Sequence, residues 1–388
     1  MDGILDTLCQ ATKGLHSERY QSHKFCYDSD HGSVVEYEKE REVQWKEWGE
    51  TEHFRNMRNL RDKAKELADE PSWFHYFLDG SRHTYKVDDM SFRRNVYPIL
   101  AGQVGVSCCK REERHILPEF FRRSLVLVVP DSALKSEFNK RTEVKSLCDK
   151  INHSPKLELL RKKLHCQELY FSDVLSYNLD SDMKYDKKGI AKIQDDMIAE
   201  EKRAVADLVP KLNKTTYLIK DGSLEYKAVH ESSMNLSEAK MRLNYQFVLG
   251  VSKSFNPTKC YVKGGGTNSS IVANLKAFER TPAYRYSSAI SGENVDFCIW
   301  YLRLRDNRYT KNVFDGVIKV EKLIQEDERK NGVETDLIDM LSVFLLRERT
   351  PVCYGRDKRW ANHIYPIYAT ELFAKSHYMS DRLFLNLF

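Results

Sequence analysis

Two short β-prone runs in this chain end in the same tripeptide, and that repetition restricts the fold more than any other feature. Trp73–Leu78 leads into Asp79, Gly80 and Ser81, and the run beginning at Thr215 leads into Asp221, Gly222 and Ser223. Asp-Gly occurs four times, at Asp2, Asp79, Asp221 and Asp315, but only two copies continue into serine after a strand-like run. A strand ending in Asp-Gly sets a carboxylate at the edge of a sheet, and the glycine lets the backbone turn away without covering it. Two such ends brought side by side make a pair of acidic groups that a hard divalent cation can bridge. A single copy is ordinary turn chemistry. The two together are either ordinary turns or the ends of strands that deliver carboxylates to one edge of a sheet.

A chain of 388 residues has room for a sizeable core, in two or three domains or one elaborated domain. With 41% hydrophobic and 31% charged residues it reads as a soluble globular protein. A net charge of +5 permits a nucleic-acid partner without demanding one. The nine cysteines include no Cys-x-x-Cys pair, which argues against a zinc ribbon or redox motif. A scattered, odd set fits reduced thiols and a cytoplasmic location. No apolar run approaches the length of a membrane span, and the N-terminus lacks a secretory apolar region.

Residues 1–70 read as a helical N-terminal arm, because Val34 to Asp69 is dense in charge with sparse apolar residues at Val43, Trp48, Leu60, Ala64 and Leu67. The remainder, 71–388, reads as one domain interrupted by a helical insertion over 131–200. Trp73–Leu78, His83–Val87 and Tyr97–Ser107 suggest a three-stranded meander, and Leu125–Val129 a further strand. The Arg161, Lys162 and Lys163 cluster is either a solvated face or a phosphate contact. Met197 to Leu212 has helical spacing, with Glu201 on the apolar stripe and Glu200 beside it. A carboxylate in that position is either salt-bridged or a metal ligand. Phe247–Ser252 reads as a strand that projects Lys253 toward the same edge. The Gly264-Gly265-Gly266 stretch reads as a flexible loop without chemistry. Phe297–Leu304 and Gly316–Val320 read as paired strands, and Glu321 to Arg347 as helical. Tyr365-Pro366 opens a helix carrying Glu371. The apolar Leu383–Phe388 end is either a core strand or a plug for a partner.

The order of these motifs resembles the NurA family of nucleases, from about Trp73 to His377. The resemblance implies an α/β fold with an RNase H-like mixed sheet flanked by helices. It also implies a manganese- or magnesium-dependent deoxyribonuclease that acts as a homodimer with a HerA-like hexameric ATPase, in DNA-end processing or antiviral defence. By position, Asp79 and Asp221 match metal-binding aspartates, Glu201 (or Glu200) the helical acid, Lys253 the lysine after the Gly-Val-Ser strand, and Tyr365 the Tyr-Pro tyrosine. Glu371 stands where relatives carry His or Asp, with His363 and His377 as alternative ligands. This departure leaves open a non-catalytic DNA-binding or assembly subunit of the same fold.

Overall fold

The computed structural model describes residues 3–12, 17–19, 24–26, 44–54, 56–92, 94–134, 140–165, 169–179, 183–225, 238–256, 261–262, 266–267, 269–287, 295–306, 310, 313–350 and 360–388. The expected glycine loop lies largely outside them; Gly266–Thr267 pairs as a short strand with Tyr261–Val262.

Three long antiparallel strands carry the first half of the sheet: β1 (Phe74–Phe92), β2 (Asn95–Glu112) and β3 (His115–Pro130). β2 and β3 join through a two-residue loop in which Glu113 takes a left-handed φ of 53°. The chain then adds β4 (Asp173–Tyr177), parallel to β3, and the long helix α1 (Tyr185–Leu208). Next come β5 (Tyr217–Asp221) and β6 (Val248–Ser252), with β5 parallel to both β1 and β6. The order β3-β2-β1-β5-β6, a meander followed by parallel strands reached through a helix, is the RNase H-like arrangement. The sheet continues antiparallel from β6 through β9 (Val317–Leu323), β8 (Asp296–Arg303) and β7 (Tyr284–Ser287) to an edge strand at Gln44–Trp48.

Alternation along the strands divides the sheet into two buried faces. Leu78, Val106, Cys108 and Leu218 pack beneath Ala204, Val205 and Leu208 of α1. The opposite face carries Phe77, Ile219, Leu249 and Val251, covered by α2 (Thr335–Arg347) and α3 (Tyr365–Ser376) through Phe344, Ile338 and Ile367. Each such side chain, fully buried, contributes on the order of 1.5–3 kcal/mol relative to exposure.

Several local expectations are corrected. β1 does not stop at Asp79. It runs unbroken through Gly80 and Ser81 to Phe92, so His83–Val87 is the same strand and the meander returns only at Asn95. Gly80 read as a turn because a glycine after Asp usually is one; here it serves another purpose, described below. The long helices expected in 1–70 reduce to Arg61–Glu66 within the described part of Val34–Asp69, and Gln44–Trp48 is a strand. Tertiary partners decide this. Trp48 stacks on Tyr284, and the Glu50 carboxylate is gripped by Arg280 at 2.8 Å. Residues 131–200 are mostly helical (Lys140–Asn152, Pro155–Leu164, α1) but include β4. Glu321 belongs to β9 rather than to a helix. The C-terminal run is core, as the first alternative held, but as a helix, α4 (Asp381–Leu385), with Phe384, Leu387 and Phe388 buried against Tyr85 and Phe171.

Candidate active site

The strand rows on the α3 face each begin apolar and end charged. Phe77 is followed on that face by Asp79, Ile219 by Asp221, and Val251 by Lys253. Because Phe77 pairs with Ile219 and Leu78 with Lys220, register sets Asp79 beside Asp221. Gly222, at φ +81°, turns the chain away immediately after Asp221, the conformation for which glycine is suited. Lys253 lies beyond the end of β6 and reaches back, its Nζ 2.9 Å from Asp221 Oδ2 and 3.2 Å from Glu371 Oε2. α3 supplies Glu371, whose other oxygen lies 2.7 Å from Lys375 Nζ. Asn362, unforeseen from the sequence, fixes this corner: its side-chain amide donates to the Lys253 carbonyl at 2.7 Å and its Oδ1 accepts from the Gly316 amide at 2.6 Å.

The charges are unevenly compensated. Asp79 is 4% exposed, and its side chain accepts no hydrogen bond from the described residues. Burial above all, then the charge of Asp221, pushes its carboxyl well above the usual carboxylate range, with Lys253 opposing. Burial alone would raise Glu371 as well, but Lys253 and Lys375 pull it down to about 2. Burial works against the Lys253 ammonium, and Asp221 and Glu371 more than offset it, so that the lysine stays charged.

Glu201 reaches the same strand ends from the other face. It is held by Lys220, with Oε2 3.1 Å from Nζ, and by the backbone N–H of Gly80. A Cβ on Gly80 would collide with Glu201 Oε1. Gly80 is therefore the gap through which a helical carboxylate meets the β1 backbone, not a turn. Of the two readings of Glu201, the salt bridge is the one observed. Lys220, a buried lysine in an otherwise apolar strand, was missed; its placement between Ile219 and Asp221 was the available signal. Glu200 instead faces Arg122 at 3.1 Å and Arg203 at 2.7 Å.

Asp79, Asp221, Lys253 and Glu371 thus come together, with Glu201 behind them. Tyr365 does not join them: it is the first residue of α3 and is 45% exposed. His377 is exposed and packs against Phe121 and Phe373, while His363 is buried against Tyr368. Neither takes the place of Glu371 beside Lys253.

Among the described residues these carboxylates do not form a set of three whose oxygens all lie within 4.8 Å of one another, and Lys253 stands between Asp221 and Glu371. The donors nonetheless suit a hard divalent cation. They are all carboxylate oxygens, and the buried carboxyl of Asp79, which accepts no hydrogen bond from the described residues and lies beside Asp221, is a site that positive charge would stabilise.

No family model matches the sequence, and no curated protein matches it. Among solved structures, the NurA nuclease from Sulfolobus solfataricus is similar over 80% of this chain and 82% of that one, at 11% identity and a TM-score of 0.40. A likeness that distant carries no argument about chemistry. No helix of the described residues is long and apolar enough to cross a membrane.

Proposed function

We propose that the chain is a divalent-metal-dependent deoxyribonuclease that hydrolyses phosphodiester bonds at the Asp79, Asp221 and Glu371 cluster. The single observation that carries the reading is the register placing Asp79 beside Asp221, with Glu371 and Lys253 facing them. Asp79, Asp221 and Glu371 would hold magnesium or manganese, which when bound would lower the pKa of a water and stabilise negative charge on phosphate oxygens. Lys253 presents its ammonium where phosphoryl charge would develop. Lys220 and the Gly80 amide keep Glu201 ordered behind the two aspartates, which makes it a positioning residue rather than a ligand in this arrangement. A DNA substrate, a homodimer and a HerA-like ATPase in end processing or defence are part of the same proposal, supported by the motif order.

The test is degradation of linear DNA by the purified chain with manganese or magnesium, against Asp79→Asn and Asp221→Asn. Both variants should lose at least about 100-fold in rate while keeping a wild-type circular dichroism spectrum. Degradation that survives in both would remove the proposal. A second reading, a non-catalytic DNA-binding subunit, is favoured by Lys253, which already neutralises Asp221 and Glu371. Calorimetric titration with manganese in the presence of DNA separates the two, since this reading expects no uptake of metal.

A further inference from the structure

The far half of β1 gathers both ends of the chain around a different kind of ligand set. The two-residue strand Phe25–Cys26 pairs with β1, placing Cys26 opposite Tyr85. From the C-terminus, Asp381 at the start of α4 accepts a hydrogen bond from the Tyr85 hydroxyl at 2.9 Å. His83 lies on the same face of β1 two residues before Tyr85, its ring against Tyr378. The ligand atoms of Cys26, His83 and Asp381 all lie within 4.8 Å of one another.

Three details mark a built site. The Nδ1 atom of His83 is sealed from solvent and has no hydrogen-bond partner. Its distance to Asp381 Oδ1 is 3.6 Å, too long for a hydrogen bond but suited to two ligands sharing a tetrahedral ion at roughly 2.0–2.2 Å each. The Tyr85 hydroxyl donates to Asp381 Oδ1, the same oxygen that faces His83 Nδ1, and so orients the carboxylate. Gln103 donates to the Tyr85 hydroxyl at 2.8 Å and to the Met379 carbonyl at 3.1 Å, and accepts from the Met379 amide at 3.0 Å. Cys26 is buried and forms no disulfide.

A thiol, an imidazole and a carboxylate make a softer set than the acidic cluster, which lies about 13 Å away along β1 at ~3.3 Å per residue. We infer that Cys26, His83 and Asp381 form a binding site for a zinc-class transition ion, with water completing the tetrahedron. The ion clips the N-terminal strand and the C-terminal helix onto β1. Its chemistry is separate from the hard-cation site proposed above and does not depend on that proposal.

The experiment uses the full chain, stripped with chelator and titrated with cobalt(II) as an optical probe, followed by zinc competition. One equivalent of cobalt should bind with a thiolate-to-cobalt absorption band, and zinc should displace it. Cys26→Ser should abolish the band, and His83→Gln should weaken binding about tenfold or more. Asp79→Asn and Asp221→Asn should leave both intact. Zinc should raise the melting temperature of the wild type but not of Cys26→Ser. If Cys26→Ser does not fold, the wild-type titration decides alone. Absence of a thiolate band there, or a band that persists in folded Cys26→Ser, overturns the inference.

Discussion

At Asp79 the proposed function and stability oppose each other. Among the described residues its buried carboxyl has no hydrogen-bond partner and lies beside another carboxylate, so Asp79→Asn should stabilise the metal-free fold by on the order of 1 kcal/mol while abolishing the proposed nuclease activity. Thermal melts in chelator, paired with the DNA assay, check both halves. Lys253→Ala acts in the other direction. It leaves Asp221 and Glu371 without their shared cation and should cost about 2–4 kcal/mol, part of which manganese should restore. The two Asp-Gly glycines should fail for different reasons. Gly222→Ala forces a side chain onto a φ of +81°, a cost of about 1–2 kcal/mol that leaves Glu201 untouched. Gly80→Ala drives a methyl into the Glu201 carboxylate that Lys220 holds, so it should cost about 1–3 kcal/mol and lose most of that penalty when combined with Glu201→Gly. A double-mutant cycle measured by denaturant unfolding distinguishes the two.

At the scale of the element, α1 shows how far a helical stripe can be read. The spacing of Met197, Val205 and Leu208 gave the buried side, and Glu201 stood out on it. The partner of Glu201 could not be read, because Lys220 comes from a strand that only packing brings beneath the helix. The same helix carries Asp196, which burial, then the charge of Asp173, raises to about 6 from an ordinary 3.8. The unfolded chain therefore ionises first, and stability should fall as pH rises from about 4 to about 6, by about 2 kcal/mol after partial solvent screening. Asp196→Asn should flatten that slope in urea unfolding measured across the same pH window. The strand β1 gives the converse lesson. The strand does not end at its Asp-Gly-Ser tripeptide: the chain continues for another thirteen residues after Asp79, because β2 offers partners as far as Phe92, with one register shift between Lys86 and Asp88.

For the whole molecule, the C-terminal segment is part of the core. Phe384, Leu387 and Phe388 are buried with Tyr85 and Phe171, and the N-terminal Ile4, Leu5 and Leu8 belong to the same cluster. Phe384→Ala should cost about 3–5 kcal/mol, and truncation before Asp381 should yield insoluble or molten protein by circular dichroism. The sequence by itself determined that strands would carry Asp79 and Asp221, that helices would carry Glu201 and Glu371, and that Lys253 would follow a strand. These are local matters of apolar periodicity and turn chemistry. Only the tertiary structure decided which groups meet. Register between distant strands set Asp79 beside Asp221, face alternation sent Glu201 to the side opposite Glu371, and the partners that close Lys220, Lys253 and Cys26 come from segments far along the chain. Such pairings depend on how the buried faces stack, and no local window of the chain contains that information.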